Sequence, residues 1–467
     1  MASLGSMAKI IRTPDQNGQM AKSFPNQSPS ATATTQKTLH QDQFLSLDEL
    51  IAPKSDFSKK SRGKTLDDIR ELMAANQWEN ILALYYPVEE KVPDVVAAGM
   101  DTPVREKIAF ALGQLGRFDD AITELLICTR REPDNFFACS SLAYTAYNSL
   151  YANKNKEIML TPDLKAKRLT LAHNSLKKAQ ELRPDGVTNF YRHGMLISQI
   201  ENKPDQALPL FLSACQNWEK LSDKEQEERH QEKKNYIKSL YRLASLQLTA
   251  GNGDAALKRI KNCLSLDEKS NHISLPLKYF ALGKVYFHLG KNVEARDALV
   301  FAHQSRGSRP ADFVVELLAR TFLALGKKER AMEILKTIPE QARRPYYRWT
   351  EADSLCAMDR FDEAEVVLKK SMARDNRSRH KTLIKLAKIC YIRKNFCDTE
   401  KYAVDADHFF QRQWQNPYGE GMFWTALAQC RQGRTRQAME TAEKLKAHFR
   451  FFPRLDQLIT FIQEQTE

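Results

Sequence analysis

Residues 275–308 read LPLKYFALGKVYFHLGKNVEARDALVFAHQSRGS, and this stretch decides the fold. Small and large apolar residues recur in it at helical spacing, and Gly290 interrupts the pattern once. The sequence therefore predicts a helix, a tight turn and a second helix that folds back on the first. Gly283, Ala295 and Ala302 are small enough to let the two backbones approach closely. Because one such pair cannot bury its own apolar face, we expect neighbouring pairs of the same kind.

The same pattern of small and apolar residues recurs from about residue 102 to residue 450. Its markers include Leu112, Gly116 and Ala121, then Leu243, Gly251 and Ala256, then Leu318, Gly326 and Ala331, and finally Ala426, Gly433 and Ala438. Agreement at many offsets of one period resembles the tetratricopeptide repeat. The resemblance implies an all-α fold, a right-handed α-solenoid of about nine or ten helix pairs.

Changes in composition along the chain predict its organisation. The polar, aromatic-poor N-terminus is typical of a disordered tail. RLDQLITFIQEQ near the C-terminus predicts an amphipathic helix that covers the last apolar face. The predicted parts are a tail (1–62), N-terminal repeats (63–220) with an insertion at about 152–164, a charged helical extension (221–236), C-terminal repeats (237–450) and a capping helix (451–467).

One apolar island, QFLSLDELIAP, interrupts the polar tail. Its apolar residues within 44–51 share one face of a short helix that Pro53 would end. One interpretation is an extra turn that packs on the first repeat. The other is a short apolar-acidic motif that binds a groove, on another protein or on this protein's own basic surface.

Charge and cysteine usage limit the classes of partner and compartment. The formal net charge is +13, which favours anionic partners without identifying them. No apolar run reaches the roughly 20 residues that span a bilayer, and no secretory signal opens the sequence, so we expect a cytoplasmic protein. Cys128, Cys263 and Cys390 stand where the repeat needs small apolar residues, which favours buried free thiols over disulfides.

No catalytic constellation is found in the sequence. Phosphate-binding loops, metalloprotease motifs and nucleophile elbows are absent, and the histidines are scattered singly. Paired acids such as Asp119–Asp120 stand at the start of second helices, where they favour the positive end of the helix dipole. We therefore predict a protein that is not an enzyme and that needs no cofactor or metal.

The resemblance to the tetratricopeptide family implies a concave groove lined by the first helix of each pair. Aromatic rings beside lysine and arginine suit an apolar-acidic peptide, although some of these rings are expected to pack between repeats instead. The predicted partner-binding residues are Tyr241, Phe280, Lys284, Phe287, Phe313, Arg320, Tyr346, Trp349, Lys381 and Lys388, with Phe110 and Phe423 as further groove positions.

Residues 369–395 form an unusually basic segment, with ten Lys or Arg residues and one acid, Asp375. Such a run is typical of a solvated helix face, but it also suits docking of an acidic protein segment or of nucleic-acid phosphates. The predicted anionic-docking patch comprises Lys369, Lys370, Arg374, Arg377, Arg379, Lys385, Arg393 and Lys394.

Together these features predict a protein-interaction scaffold or adaptor that captures a partner segment along its groove. Two alternatives stay open. The first is a nucleic-acid-associated helical-repeat protein that uses the basic segment 369–395. The second is a regulatory subunit whose own N-terminal motif occupies the groove until a partner displaces it.

Overall fold

A computed structural model describes residues 54–305, 307, 311–373 and 375–465. Within these ranges the regular structure is entirely helical, with 24 α-helices, one π-helical turn and one short 3-10 helix. The described residues divide into two compact units. The N-terminal unit holds residues 54–250 and 265–272, and the C-terminal unit holds residues 251–264 and 273–465.

The N-terminal unit begins with a long helix and several short ones, followed by longer helices joined by tight turns. Its helices are α1 (Lys54–Ala74), α2 (Trp78–Tyr85), α3 (Val88–Lys91), α4 (Pro93–Ala97), α5 (Thr102–Gln114), α6 (Phe118–Arg131), α7 (Phe136–Lys154), α8 (Pro162–Leu182), α9 (Thr188–Met195), α10 (Pro204–Glu219), α11 (Asp223–Glu228) and α12 (His230–Thr249). The π-helical turn Leu196–Ile200 continues α9.

Regular helix pairs fill the C-terminal unit. They follow α13 (Gly253–Leu266), whose last two residues belong to the other unit, and are α14 (Leu275–His288) with α15 (Asn292–Gln304), α16 (Asp312–Ala324) with α17 (Lys328–Lys336), α18 (Pro345–Ala357) with α19 (Phe361–Met372), α20 (Arg379–Ile392) with α21 (Phe396–Trp414), and α22 (Gly419–Arg431) with α23 (Thr435–His448). Helix α24 (Leu455–Glu464) packs on the last pair, where the capping helix is predicted.

Small residues set the spacing between paired helices. A Cβ atom added at Gly283 would lie 2.6 Å from Leu299 Cγ, so α14 and α15 meet where only glycine fits. Gly290 adopts φ +72° in the turn between them, a left-handed conformation that glycine reaches without a steric penalty. Ala295, Leu299 and Ala302 of the opposing helix are fully buried. The packing at this pair is therefore the one that the opening stretch predicts.

Neighbouring pairs of the C-terminal unit contact one another through two sets of helices. The first helices α14, α16, α18, α20 and α22 contact in series, and the second helix of each pair contacts the next first helix. The buried alanines, leucines and valines lie between these layers. This arrangement leaves one side of the five first helices available for side chains that are not needed in the core.

Two predicted boundaries differ from the structure. Residues 54–62, expected in the tail, are the first part of α1, because extending an anchored helix adds one hydrogen bond for each residue fixed. The charged extension is not continuous: Ser222 and Glu225 form a capping box on α11, and α12 begins after Arg229. The predicted motif 44–51 lies outside the described residues.

The cysteines are thiols rather than disulfides, in agreement with their positions in the repeat. All eight are free, and Cys128, Cys263 and Cys390 are buried as predicted.

The helices are also short or polar by the standard of a bilayer. Among the described residues, no helix combines the length and the apolar character that crossing a membrane requires.

Candidate partner-binding face

Side chains from the five first helices of the C-terminal unit form a set that we call the first-helix face. Each helix contributes residues three or four positions apart, which lie on one side of a helix. The face consists of Phe280, Lys284 and Phe287 on α14; Phe313, Glu316 and Arg320 on α16; Tyr346, Trp349 and Asp353 on α18; Lys381, Lys385 and Lys388 on α20; and Glu420 and Trp424 on α22.

Aromatic contacts connect the first two helices of this face. The rings of Phe280 and Phe313 meet edge to face, with centroids 4.7 Å apart. Phe280 is only 7% exposed, so most of its ring is used in packing between repeats. Phe313 and Phe287 are half-buried and present part of each ring to solvent. Of these three predicted groove aromatics, Phe287 and Phe313 are the ones a partner can reach.

Cations lie over aromatic rings of neighbouring helices at three places. The Arg320 guanidinium is 5.0 Å from the centre of the Phe287 ring. The Lys381 ammonium is 5.6 Å from the Trp349 ring, and the Lys388 ammonium is 5.5 Å from the Trp424 ring. These distances are typical of cation–π contacts. The structure thus brings Phe287 together with Arg320, and Trp349 together with Lys381.

Acidic residues, which the sequence analysis did not single out, balance several of these cations. Glu316 is 3.8 Å from Arg320, Asp353 is 2.6 Å from Lys385, and Glu420 is 3.6 Å from Lys388. The last two pairs join consecutive first helices. These acids could have been found from the sequence, because they stand three or four residues from the predicted aromatic residues. Asp353, for example, lies on the side of α18 that carries Trp349.

Lys284 differs from the other cations of the face. It is exposed, and it forms no ion pair or hydrogen bond with any residue that the structure describes. Desolvation by the surrounding protein, and then the charge of Arg320, lower the pKa of its ammonium group. Lys284 and Arg320 are therefore like charges that repel each other and that would both gain from an added anion.

Glu316 stands at the centre of the face and is largely shielded from water. Desolvation raises the pKa of its carboxyl group, and the nearby Arg320 only partly offsets that effect. Thr350 on the next first helix donates a hydrogen bond of 2.7 Å to Glu316 Oε1. Neutralisation of Arg320 by Glu316 is consequently weak, because the two groups are 3.8 Å apart and Glu316 is held toward α18.

The tyrosines predicted for the groove have fixed partners or lie elsewhere. Tyr346 donates a hydrogen bond of 2.6 Å to Asp312, and desolvation together with this bond raises the pKa of its phenol. Tyr241 lies on α12 of the N-terminal unit and is 7% exposed.

Two further phenylalanines named for the groove pack against other rings. Phe110 packs on Trp78 of the first helix pair, with ring centroids 5.7 Å apart. Phe423 packs on Phe452 near the C-terminus, at 5.7 Å, while its neighbour Trp424 takes the position on the face.

The basic segment is divided among different helices, and half of the predicted patch residues form ion pairs. Arg393 is 2.6 Å from Asp362, Lys369 is 2.7 Å from Glu365, and Lys370 is 3.4 Å from Glu340. Arg377, Arg379 and Lys394 are exposed, and Arg374 lies outside the described residues. These pairs reduce the net charge that the segment presents, and a docking role for it stays a prediction.

The last helix pair of the C-terminal unit matches a known repeat family. A family profile described as tetratricopeptide repeat matches residues 420–450, which span α22, the turn at Gly433 and α23. The last helix pair is therefore a tetratricopeptide repeat. The predicted all-α fold of tetratricopeptide-like helix pairs is confirmed.

Several solved structures are similar to this protein at low identity. A Parabacteroides merdae tetratricopeptide repeat protein is 15% identical, covers 62% of this chain and 98% of its own, and gives a TM-score of 0.41. Yeast Tom70 is 13% identical over 89% of this chain and 96% of its own, with a TM-score of 0.40. The human IFIT1 dimer with m7Gppp-AAAA is 14% identical over 83% of this chain and 87% of its own, with a TM-score of 0.41.

These similarities do not assign a function, because every one of the three TM-scores is below 0.5. No curated protein matches the sequence. What the family itself contributes is general: tetratricopeptide folds mediate protein–protein interaction and are typically non-catalytic. The chemistry of this chain's own first-helix face must therefore indicate the kind of partner.

Proposed function

We propose that this tetratricopeptide-repeat protein is a non-catalytic scaffold or adaptor whose first-helix face binds a partner segment that carries both acidic and apolar side chains. The observation that carries the proposal is the pair Lys284 and Arg320, two neighbouring cations of which one has no acidic partner among the described residues and the other has a distant one. A carboxylate placed between them would relieve their repulsion.

Half-buried aromatic rings beside these cations supply the apolar part of the proposed interface. Phe287 lies next to Arg320, and Trp349 lies next to Lys381. Tryptophan, tyrosine and arginine are enriched among the residues that dominate binding energy. A segment that passes from α14 to α20 would therefore place one acid at Lys284 and Arg320, and apolar side chains on the rings of Phe287 and Trp349.

A selection from short displayed peptides tests the proposal through the chemistry of the peptides that bind. The full chain is the bait, and the enriched peptides should combine Asp or Glu with Leu, Phe or Trp. Their affinity is then measured for the wild type, for Lys284→Glu and for the control Lys401→Glu, an exposed lysine on the second helix α21. We expect Lys284→Glu to weaken binding at least about tenfold and the control to change it little.

Two results would count against this function. One is enrichment of peptides without acids; the other is unchanged affinity in Lys284→Glu. Binding of an oligonucleotide probe gives a further test. If the wild type and Lys284→Glu bind the probe and Lys394→Glu does not, the nucleic-acid interpretation of the basic segment is favoured instead. The expected cytoplasmic location and the regulatory role of the N-terminal motif stay predictions.

A further inference from the structure

A second group of aromatic and basic side chains lies wholly within the N-terminal unit. We call it the tyrosine–arginine cluster, and it consists of Tyr144, Tyr147, Tyr151 and Lys154 on α7, Tyr191 on α9 and Arg242 on α12. The four α7 residues are three or four positions apart and so share one side of that helix. Helix α9 packs against α12, and α7 packs against the π-helical turn that continues α9.

Arg242 is the decisive member of the cluster. It is 8% exposed, and no hydrogen bond or ion pair involves its guanidinium among the described residues, although none of its nitrogen atoms is both fully enclosed and unpartnered. Buried charges in proteins are normally paired, because an isolated one loses its hydration without compensation. A largely buried arginine whose guanidinium can still be reached could receive an anion that arrives from outside the chain.

Lys154 reinforces the positive character of the cluster. Its ammonium group donates a hydrogen bond to the backbone carbonyl of Gln199, a neutral acceptor that leaves its charge uncompensated. Desolvation, and then the charge of Arg242, lower the pKa of Lys154. The two cations are thus close enough to repel each other, and an anion between them would stabilise both.

The tyrosines provide neutral donors and flat surfaces beside these cations. Tyr147 and Tyr151 have ring centroids 6.0 Å apart, and the Arg192 guanidinium is 4.2 Å from the Tyr144 ring. Desolvation raises the pKa of Tyr147, so its hydroxyl stays protonated and able to donate. Tyr144, Tyr147 and Tyr151 are only half-buried, which leaves part of each ring accessible to a ligand.

From this arrangement we propose that the tyrosine–arginine cluster binds the phosphate group of a small molecule, a phosphate monoester held by Arg242 and Lys154. A phosphate monoester carries close to two negative charges at neutral pH and three strong acceptor oxygens, so it can engage both cations and a tyrosine hydroxyl. A single carboxylate carries one negative charge and two acceptor oxygens, so it matches two cations and a tyrosine hydroxyl less well. The neighbouring tyrosine rings would also stack with a planar group attached to the phosphate, such as a nucleobase.

Calorimetric titration of the full chain tests this site, with inorganic phosphate and adenosine monophosphate as probes. Acetate and chloride at equal ionic strength control for a general salt effect. The variants are Arg242→Met and Lys154→Met, and the matched control is Lys167→Met, an exposed lysine on α8. We expect saturable phosphate binding by the wild type and by the control, and binding at least about tenfold weaker in Arg242→Met.

Adenosine monophosphate binding more tightly than phosphate would extend the site to the tyrosine rings, whereas equal affinity would confine it to the phosphate group. The proposal is overturned if neither probe binds saturably, if acetate binds as well as phosphate, or if Arg242→Met binds like the wild type. Circular dichroism shows whether Arg242→Met folds, and if it does not, the same criterion applies to Lys154→Met.

Discussion

Two arginines of the N-terminal unit are equally hidden but differ in their surroundings. Arg105 on α5 is 1% exposed and Arg242 on α12 is 8% exposed. The guanidinium of Arg105 bonds to Asp101, to Glu124 and, at 2.6 Å, to Glu89. Arg242 has no such carboxylate among the described residues. The same side chain is thus fully compensated inside the unit in one place and left uncompensated in the other.

This difference separates a structural charge from one that is available to a ligand. Burial by itself would lower the pKa of Arg105, but hydrogen bonds to three carboxylates raise it instead. Asp101 also accepts from Arg131 at 2.5 Å, so the cluster joins α5 and α6. The charges of this cluster connect α3, α5 and α6. The charge of Arg242 contributes nothing comparable to the fold, which is why we assign it to binding.

The largest effect is expected from breaking the compensated cluster. Arg105→Met would leave Asp101 and Glu124 buried without their central partner. Removing one member of a buried, hydrogen-bonded charge cluster typically costs about 3–5 kcal/mol, so we expect a loss of that size in the free energy of unfolding. Urea denaturation of the full chain, followed by circular dichroism, measures the change.

Arg70→Met is the control for removing the charge of an arginine in this unit. Arg70 pairs with Asp67 on α1, but both side chains are about two-thirds exposed, so little change in stability is expected. If Arg105→Met were no more destabilising than Arg70→Met, the distinction between a structural and an available arginine would fail.

A third buried basic side chain, His193 on α9, is neutral near pH 7, so it places no buried charge in the unit. Desolvation, and then the charge of His173, lower its pKa to about 4. Its Nε2 lies 3.0 Å from His173 Nδ1, and His173 Nε2 lies 2.7 Å from Glu201. An unfolded histidine takes up its proton near pH 6.5, before the folded one does, so acidification favours the unfolded state.

The contribution of His193 to the free energy of unfolding should therefore be fully present above about pH 6.5. It should be lost as the pH falls toward about 4. We expect on the order of 2–3 kcal/mol to disappear across that window and His193→Gln to reduce the slope of unfolding free energy against pH. Urea denaturation at several pH values measures it. His230→Gln, at an exposed position on α12, is the control, and an unchanged slope in His193→Gln would contradict the assignment.

The fold could be predicted from the sequence because repeat packing depends on local spacing. Gly283 and Ala295 lie within 13 residues of each other, and the same offsets recur from pair to pair. The start of α1 at Lys54 could not be predicted, because residues 54–62 have no apolar periodicity and are helical only as the continuation of an anchored helix.

The candidate sites could be predicted only in part. The aromatic and basic positions of the first-helix face follow from offsets within one helix, but their acidic partners lie on a neighbouring repeat, as Asp353 does for Lys385. The tyrosine–arginine cluster could not be predicted from the sequence, because its members lie even farther apart in the chain. Lys154 and Arg242 are 88 positions apart in the chain, and nothing in either local sequence indicates that one affects the other.

The smallest effect, with the opposite sign, is expected when the uncompensated arginine is removed. Arg242→Met keeps an apolar side chain of similar length and eliminates a buried charge that nothing in the described chain pairs. Replacing buried charges by well-packed apolar groups is often neutral or stabilising, so we expect a gain of about 1 kcal/mol in the absence of phosphate. The urea experiment that measures Arg105→Met measures this change as well.

Without phosphate, Arg242→Met should be the more stable protein, and with phosphate the wild type should be. The reason is that a ligand that binds only the folded state stabilises it by mass action. The wild type should then gain stability with phosphate concentration while Arg242→Met does not. A loss of stability in Arg242→Met without phosphate, close to that of Arg105→Met, would mean that Arg242 supports the fold as Arg105 does. In that case the two arginines would not differ in kind, and the reason for assigning Arg242 to a ligand would be gone.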